Sequence, residues 1–332
     1  MIPARKMSEY KYTFKKFLKD WALIVSMVIG ASVYLAYHAI PALHPAGPAL
    51  EGIITHLQPL LLFVMLYLAF CKIEPHQMRP HRWMFFLLLL QCGLFVLLAL
   101  LLAFVPGLPC RYGFEAAMLC IICPTATACA VITGKLGGNM AGVVTYTVLI
   151  NLAAAVLVPL MVPLVHPVEG LSFYSAFLKI LAKVFPLLIL PCLLAWLTRY
   201  LLPRFHAFLL RFSELPFYIW AFSLGLAILM STRAIVHNTA GPAALVEICV
   251  ASLLACAFQF WAGRRIGARS RCKISAGQAL GQKNTVFAIW LGYTFFTPVV
   301  SVAGGFYSIW HNCYNSWQLY RKRKEKSKSP ED

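Results

Sequence analysis

The sequence has few charged residues and very few acidic ones. Asp, Glu, Lys and Arg make up 12% of the 332 residues, only 11 residues are Asp or Glu, and 61% of the chain is hydrophobic. A soluble globular domain carries about twice that share of charge, so the composition excludes this class. The composition predicts an all-α polytopic membrane protein, because an apolar segment in lipid forms all its backbone hydrogen bonds internally when it is a helix.

Motifs of catalysis and metal binding are also missing. The chain has no HExxH, no GxSxG, no paired aspartates and no cluster of acidic residues. Such patterns place metal ligands, nucleophiles or general bases at the spacing that their chemistry needs. We therefore predict that the protein is not an enzyme and that it has no catalytic residues, no metal site and no cofactor.

Eleven cysteines are present, but their pattern does not indicate disulfides. Almost all of them lie in apolar stretches, where cysteine acts as a small hydrophobic residue. Cys110 falls in a predicted outer loop without an evident partner there. Cys120 and Cys123 have CxxC spacing, but their apolar surroundings favour packing over redox chemistry.

The net charge of +18 does not indicate nucleic-acid binding, because the basic residues are unevenly placed. Of 29 Lys and Arg residues, 24 fall at the termini and in alternate loops on one side of the predicted spans, whereas Arg111 and Arg233 fall on the other side. Lys179, Lys183 and Lys283 lie within spans. The positive-inside rule then predicts a multi-pass protein of the cell (plasma or inner) membrane with both termini in the cytoplasm. The basic tail is expected to contact lipid headgroups of the bilayer.

Ten apolar segments fall into two halves of five. The halves are predicted at 21–165 and 172–317, joined by a linker at 166–171, with a basic N-terminus at 1–20 and a basic tail at 318–332. An odd number of spans per half inserts the second half upside down, which gives two inverted five-helix repeats. The predicted spans are 21–40, 53–71, 83–105, 113–133, 141–165, 172–198, 214–236, 242–263, 273–293 and 296–317.

The fourth and ninth spans are each interrupted near the middle. Pro124 lies about eleven residues into the fourth span, which is ~16 Å of helix and about half of the hydrocarbon core. Lys283 lies at a similar depth in the ninth span. A buried lysine is costly in lipid and is a functional hypothesis by default. Interrupted helices at matching positions of two inverted halves predict the binding site of a secondary transporter.

With these features the chain resembles the bile acid:sodium symporter family. The stretch Leu57–Leu66 is similar to the Met-rich end of the second helix of the family, and Gln91 to a glutamine that helps to hold its second sodium. The stretch from Pro124 to Thr147 is similar to the family's Pro-Gly-Gly-x-x-Ser-Asn motif and following helix. Gly281–Thr285 resembles its Glu-x-Gly-x-Gln-Asn-Ser motif, and Tyr314–Trp317 is also family-like.

The resemblance implies a fold and an activity. Spans 3–5 and 8–10 are expected to form a core domain in which helices 4 and 9 cross, and spans 1, 2, 6 and 7 a panel domain. Substrate is expected to bind between the two domains, which rock against each other in alternating access. Family substrates are organic anions such as bile acids, sulfated steroids, pantothenate-like compounds and keto acids.

The ninth span departs from the family motif where sodium is held. Aligned through Gly281 and Asn284, the family's glutamate falls on Ala279 and its glutamine on Lys283. Sodium needs oxygen ligands, and an ammonium at this place repels a second cation. We therefore predict sodium-independent transport in which the Lys283 ammonium replaces the bound cation.

The fourth and fifth spans have lost sodium ligands as well. The family's Ser-Asn pair falls on Cys129 and Ala130, and a serine of the fifth helix falls on Val143. Only Gln91, Thr147 and Asn284 keep oxygen atoms at ligand positions. The predicted site for substrate or ion comprises Gln91, Pro124, Thr125, Thr127, Cys129, Ala130, Thr133, Thr147, Gln278, Gln282, Lys283, Asn284 and Thr285.

The predicted function is secondary transport of a small organic anion, with its coupling left open. Desolvation allows a buried lysine to lose and regain a proton, which gives a proton-coupled carrier. A lysine that stays charged gives a uniporter or an exchanger. The alternatives are a sodium-coupled organic anion symporter and a transport-dead sensor or channel of the same fold. No pattern in the sequence indicates an oligomeric state.

Several side chains have predicted contacts. Lys283 is expected to donate to Gln91, to Gln282 or to carbonyls freed near Pro124. Thr125, Thr127 and Thr133 either offer hydroxyls to substrate or bond to the carbonyl four residues earlier. Two further predictions are that Asn151 and Gln259 form interhelical hydrogen bonds, and that Glu247 pairs with Arg233 or carries a proton.

Overall fold

The computed structural model describes residues 21–105, 107–167, 170–212 and 214–328. In these ranges the chain forms thirteen α-helices and no β-strand. The predicted basic N-terminus at 1–20 lies outside the described residues. The helices are α1 (Ala22–Ala39), α2 (Gly47–Cys71), α3 (Arg82–Phe104), α4 (Arg111–Ile122), α5 (Cys129–Lys135), α6 (Met140–Val165), α7 (Phe173–Leu201), α8 (Pro203–Leu210), α9 (Leu215–Val236), α10 (Gly241–Ala268), α11 (Lys273–Gly281), α12 (Thr285–Phe295) and α13 (Val302–Lys328).

The all-helical, polytopic membrane prediction is confirmed by the lengths and composition of these helices. Six segments of the described chain are long and apolar enough to cross a membrane. They are α2 with the preceding 3-10 turn, α3, α6, α7, α9 and α10. Where the sequence predicts interrupted fourth and ninth spans, the chain forms two shorter helices in succession, α4 with α5 and α11 with α12. Ten crossings in two inverted halves, and the division into domains, stay a prediction.

The helix α3 illustrates why these segments are helical in lipid. It is apolar around its whole circumference, so that Leu87 and Phe95 are buried in protein whereas Phe86 and Leu97 are exposed. Exposed leucine and phenylalanine match hydrocarbon tails, and the intrahelical hydrogen bonds leave no backbone group unpaired in lipid. The amide side chain of Gln91, in the middle of the helix, is buried and faces the other helices.

The helix α10 fixes the position of the first half of the broken ninth span. It packs against α4, α11 and α13. At Gly263 the backbones of α10 and α11 come so close that a Cβ atom there would lie 2.5 Å from the carbonyl oxygen of Ala276. Small residues allow such close approach between membrane helices, and van der Waals packing then holds them together.

The helix α13 does not coincide with the tenth predicted span, 296–317. It continues beyond residue 317, through most of the predicted basic tail at 318–332, and ends at Lys328. Its polar end carries good helix formers and the i,i+4 pair Arg321–Glu325, so the helix need not stop where the apolar sequence stops. The start of α13 also differs from the predicted 296, because Pro298 opens a separate 3-10 turn (Pro298–Ser301) before the helix.

Candidate ion and substrate site at the helix crossing

The two interrupted spans meet through their backbones. Between α4 and α5, and between α11 and α12, the chain is unwound, and Thr125 pairs with Lys283 in an isolated antiparallel β-bridge. The amide of Ala126 donates to the Gln282 carbonyl (2.9 Å), and the amide of Asn284 donates to the Pro124 carbonyl (2.8 Å). Each break therefore supplies partners for backbone groups that the other break leaves free, as burial in a membrane protein requires.

The carbonyl oxygens at the end of α4 accept hydrogen bonds from nitrogen donors of α3 and of the break between α11 and α12. The Lys283 ammonium donates to the carbonyl of Ile121 (3.2 Å). The Gln91 side-chain amide donates to the same carbonyl (2.7 Å) and to that of Cys123 (3.2 Å). These oxygens have no intrahelical donor because α4 ends at Ile122, and the residues four positions later, Thr125 and Thr127, lie outside the helix. The predicted bond from Lys283 to a freed carbonyl is thus present. Gln91 is not a hydrogen-bond partner of Lys283, because both side chains donate to the same Ile121 carbonyl.

Lys283 is almost completely buried, with 1% of its surface exposed. Among the described residues it forms no ion pair with a carboxylate. The thiols around it, close enough to interact electrostatically, are those of Cys92, Cys120, Cys123 and Cys129. The ammonium is thus removed from water, with one carbonyl oxygen as its hydrogen-bond partner and thiols around it.

The end of α11 is held by a second set of hydrogen bonds. The Thr125 hydroxyl donates to the carbonyl of Ala279 (2.7 Å). The Tyr307 hydroxyl donates to the carbonyl of Gly281 (2.8 Å) and accepts a bond from the Gln259 amide (3.1 Å). The predicted bond of Thr125 to the carbonyl four residues earlier is therefore wrong, because its hydroxyl donates to α11 instead. Its contact with substrate stays a prediction.

The three oxygens that match ligand positions of the family are already engaged. The Gln91 oxygen accepts from the Tyr146 hydroxyl (2.7 Å). The Asn284 oxygen accepts from the amide of Phe287 (3.2 Å) and caps α12. The Thr147 hydroxyl donates to the carbonyl of Val143 in its own helix (2.9 Å). Each of these oxygen atoms thus already takes part in a hydrogen bond within the protein, and a cation would have to compete with that bond.

The other predicted site residues surround the crossing without forming one continuous polar surface. Cys129 and Thr133 are buried together in α5, with 4.0 Å between sulfur and hydroxyl oxygen. Thr127 and Ala130 are half-buried, whereas Gln282 and Thr285 are buried. The Gln278 amide donates to the Asn315 oxygen on α13 (2.9 Å).

Tyr146 and Tyr307 are the residues of the crossing that sequence analysis missed. Both are buried, and each orients a group that touches the breaks, Gln91 for Tyr146 and Gly281 for Tyr307. A tyrosine in the middle of an apolar span is the signal that could have found them, because a buried hydroxyl needs a hydrogen-bond partner.

The contacts predicted for other polar side chains are partly corrected. Gln259 forms its predicted interhelical bond, to Tyr307. Asn151 donates to the carbonyl of Thr147 in its own helix (2.7 Å), so its predicted interhelical bond is not formed through this amide. Glu247 does not pair with Arg233, whose ion-pair partner is Glu51.

The helical fold and the paired breaks define a polytopic membrane protein with a polar crossing inside it. The chain belongs to the Sodium Bile acid symporter family, whose model matches residues 59–238, more than half of the chain. It is therefore a membrane transporter of the sodium/bile acid symporter type, which agrees with the prediction that it is not an enzyme. No curated protein matches the chain. The matched residues include Pro124 and the first break, whereas Lys283 and the second break lie beyond them.

Proposed function

We propose that this protein transports a small organic anion by alternating access without sodium, and that the Lys283 ammonium takes the place of the bound cation. The observation that carries the proposal is the bond from this ammonium to the Ile121 carbonyl, inside the crossing of the two breaks. A cation that is part of the chain holds the breaks together permanently and makes a dissolved cation unnecessary.

Electrostatics and ligand supply both disfavour sodium beside Lys283. Two unit charges about 4 Å apart repel by about 4 kcal/mol at an effective dielectric constant of 20. Hard cations such as calcium and magnesium take about six oxygen ligands, and sodium also requires several. The oxygens of Gln91, Thr147 and Asn284 already serve protein contacts, and Ala279 supplies no carboxylate.

The proposed transport cycle uses two bodies. Helices α3–α6 and α10–α13 form the core with the crossing, and α1, α2 and α7–α9 form the panel that rocks against it. Contacts support this grouping, since α1 packs on α9 and α2 on α7 and α9, while α10 packs on α4, α11 and α13. The excess of Lys and Arg on one side of the predicted spans supports a cytoplasmic location of both termini in a cell whose membrane holds the protein.

The test is a thermal-unfolding titration of the purified protein with sodium chloride and potassium chloride. A ligand that binds only the native state raises the unfolding temperature. We expect sodium to have no effect beyond that of potassium on the wild type, and to stabilise Lys283→Gln. The matched control is Lys179→Gln, which removes an exposed lysine from α7 and should respond as the wild type does.

A specific stabilisation of the wild type by sodium would contradict the proposal. It would mean that the ammonium does not occupy the cation position and that the protein is a sodium symporter. Uptake into liposomes tests transport itself. Saturable counterflow of an organic anion supports a carrier, and its absence under all anion gradients supports a sensor or channel.

A further inference from the structure

A cavity of about 340 Å³ opens between the ends of α9 and α12. Arg233, His237 and Asn238 line it from α9 and the following turn, and Tyr293, Thr297 and Pro298 from α12 and the turn after it. It therefore lies between a helix of the proposed panel and a helix of the proposed core. Arg233 also falls on the side of the predicted spans that is nearly free of basic residues, so the positive-inside rule places the cavity at the outer surface.

Arg233 is the anchor of this cavity. Its guanidinium forms an ion pair with Glu51 of α2 and donates to the Tyr293 hydroxyl (3.2 Å), while that hydroxyl donates to Glu51 (3.4 Å). The side chains of Arg233 and Glu51 are 34% and 41% exposed. An ion pair with this much exposure contributes little to stability, because water solvates both charges well.

The cavity offers the chemistry of a carboxylate site. A guanidinium binds a carboxylate in a bidentate fashion, and Glu51 now fills part of that position. Asn238, Thr297 and Tyr293 add polar groups, whereas Ala234, Pro298 and Val299 supply apolar walls. The volume lies at the lower end of the range of about 300–1,000 Å³ for ligand pockets, which favours a small ligand.

We propose that this cavity is the outer binding site of a small organic carboxylate, in which the ligand replaces Glu51 on Arg233. The role of the site in uptake rests on the proposed transport function, whereas binding itself does not. Glu51 then acts as an internal competitor that occupies Arg233 while no ligand is bound. Because Tyr293 belongs to α12, which begins directly after Lys283 and Asn284, exchange of Glu51 for ligand also changes a contact of the broken helix.

The test measures binding of benzoate to the purified protein by isothermal titration and thermal unfolding. Potassium benzoate is compared with potassium chloride at equal ionic strength and with neutral benzamide, which has a similar size without the charge. We expect saturable benzoate binding to the wild type, roughly fivefold tighter binding to Glu51→Gln, and loss of binding in Arg233→Gln. Glu74→Gln removes the carboxylate of a comparably exposed ion pair, with Arg199, and should bind as the wild type does.

The two substitutions are expected to change benzoate affinity in opposite directions. This distinguishes a ligand site from a clamp, meaning an ion pair that only holds α2 and α9 together. A clamp would lose stability to a similar degree in Glu51→Gln and Arg233→Gln, and neither variant would bind benzoate more tightly. Absence of saturable binding to both the wild type and Glu51→Gln, or binding that persists in Arg233→Gln, would also overturn the inference. Lys283→Met separates the two proposals, because it should stop transport and leave benzoate binding unchanged.

Discussion

At the scale of single residues, Lys283 is the buried basic residue of the crossing. Its ammonium is buried, lies among thiols and reaches only the Ile121 carbonyl among the bonds of the described residues. A charge that is removed from water without a carboxylate partner is costly, and few folds retain one without using it. The cost is reduced here because the Ile121 carbonyl lies at the end of α4 and has no intrahelical donor.

Replacement of Lys283 by methionine tests this role directly. Methionine has a similar length and no charge, and the Ile121 carbonyl keeps Gln91 as a donor, so the fold should persist. We expect Lys283→Met to abolish liposome uptake of an anion that the wild type carries, or to leave residual uptake that does not respond to pH. Lys179→Met, an exposed lysine on another helix, should retain the uptake and pH response of the wild type.

The pH response of the wild type then separates the two remaining kinds of coupling. Uptake that follows an imposed proton gradient indicates proton coupling through Lys283, and uptake that ignores the gradient indicates a uniporter or exchanger. A Lys283→Met variant with full uptake and a wild-type pH response would contradict a role of Lys283 in either kind of transport.

The sequence predicted the important residues of the crossing but not most of their partners. Lys283 and Pro124 stand out because charge and proline are rare inside apolar spans. The bond from Thr125 to Ala279, and the one from Tyr307 to Gly281, join positions far apart in the chain. Such pairs depend on the rotation of each helix about its axis, which apolar periodicity does not determine when a helix is apolar on all sides.

At the scale of helices, the close packing of α10 on α11 positions the second break. The two backbones approach at Gly263, where the carbonyl of Ala276 leaves no room for a side chain. The helix ends were predicted less well than the helices themselves. The extension of α13 to Lys328 shows the reason, since hydropathy marks the edge of the lipid and not the end of hydrogen bonding along the helix.

Substitution of Gly263 tests whether this contact supports the crossing. A valine there must push the backbone of α11 away, because a carbonyl oxygen of a helix cannot rotate aside as a side chain can. We expect Gly263→Val to lower the free energy of unfolding by about 1–3 kcal/mol, the usual cost of overpacking, and to lower uptake. Thermal unfolding and the liposome assay measure the two effects.

The matched control for this substitution is Gly93 on α3. A Cβ atom at Gly93 meets nothing within 4 Å, so valine there should be tolerated. Equal destabilisation by Gly93→Val and Gly263→Val would mean that the loss comes from the helix propensity of valine and not from the contact between α10 and α11.

At the scale of the whole molecule, composition and hydropathy predicted a polytopic helical protein. The matching interruptions of the fourth and ninth spans predicted that the two unwound segments lie next to each other. The cavity at Arg233 was not predicted, because Glu51, Arg233 and Tyr293 come from three separate helices. The predicted inverted halves rest on the odd number of spans predicted in each half. They require that the loop before α4 and the loop between α10 and α11 lie on opposite sides of the membrane.

Labelling of cysteines in whole cells tests this topology. Cys110 is exposed directly before α4, on the side with few basic residues, and Ser270 is exposed between α10 and α11, among basic residues. We expect a membrane-impermeant maleimide to label Cys110 in intact cells. In a background with Cys110, Cys272 and Cys313 replaced by serine, we expect it to label Ser270→Cys only after permeabilisation. The asymmetry of Lys and Arg is the reason, since loops rich in these residues are retained in the cytoplasm. Labelling of both positions from the same side would contradict the inverted arrangement and, with it, the outer location of the Arg233 cavity.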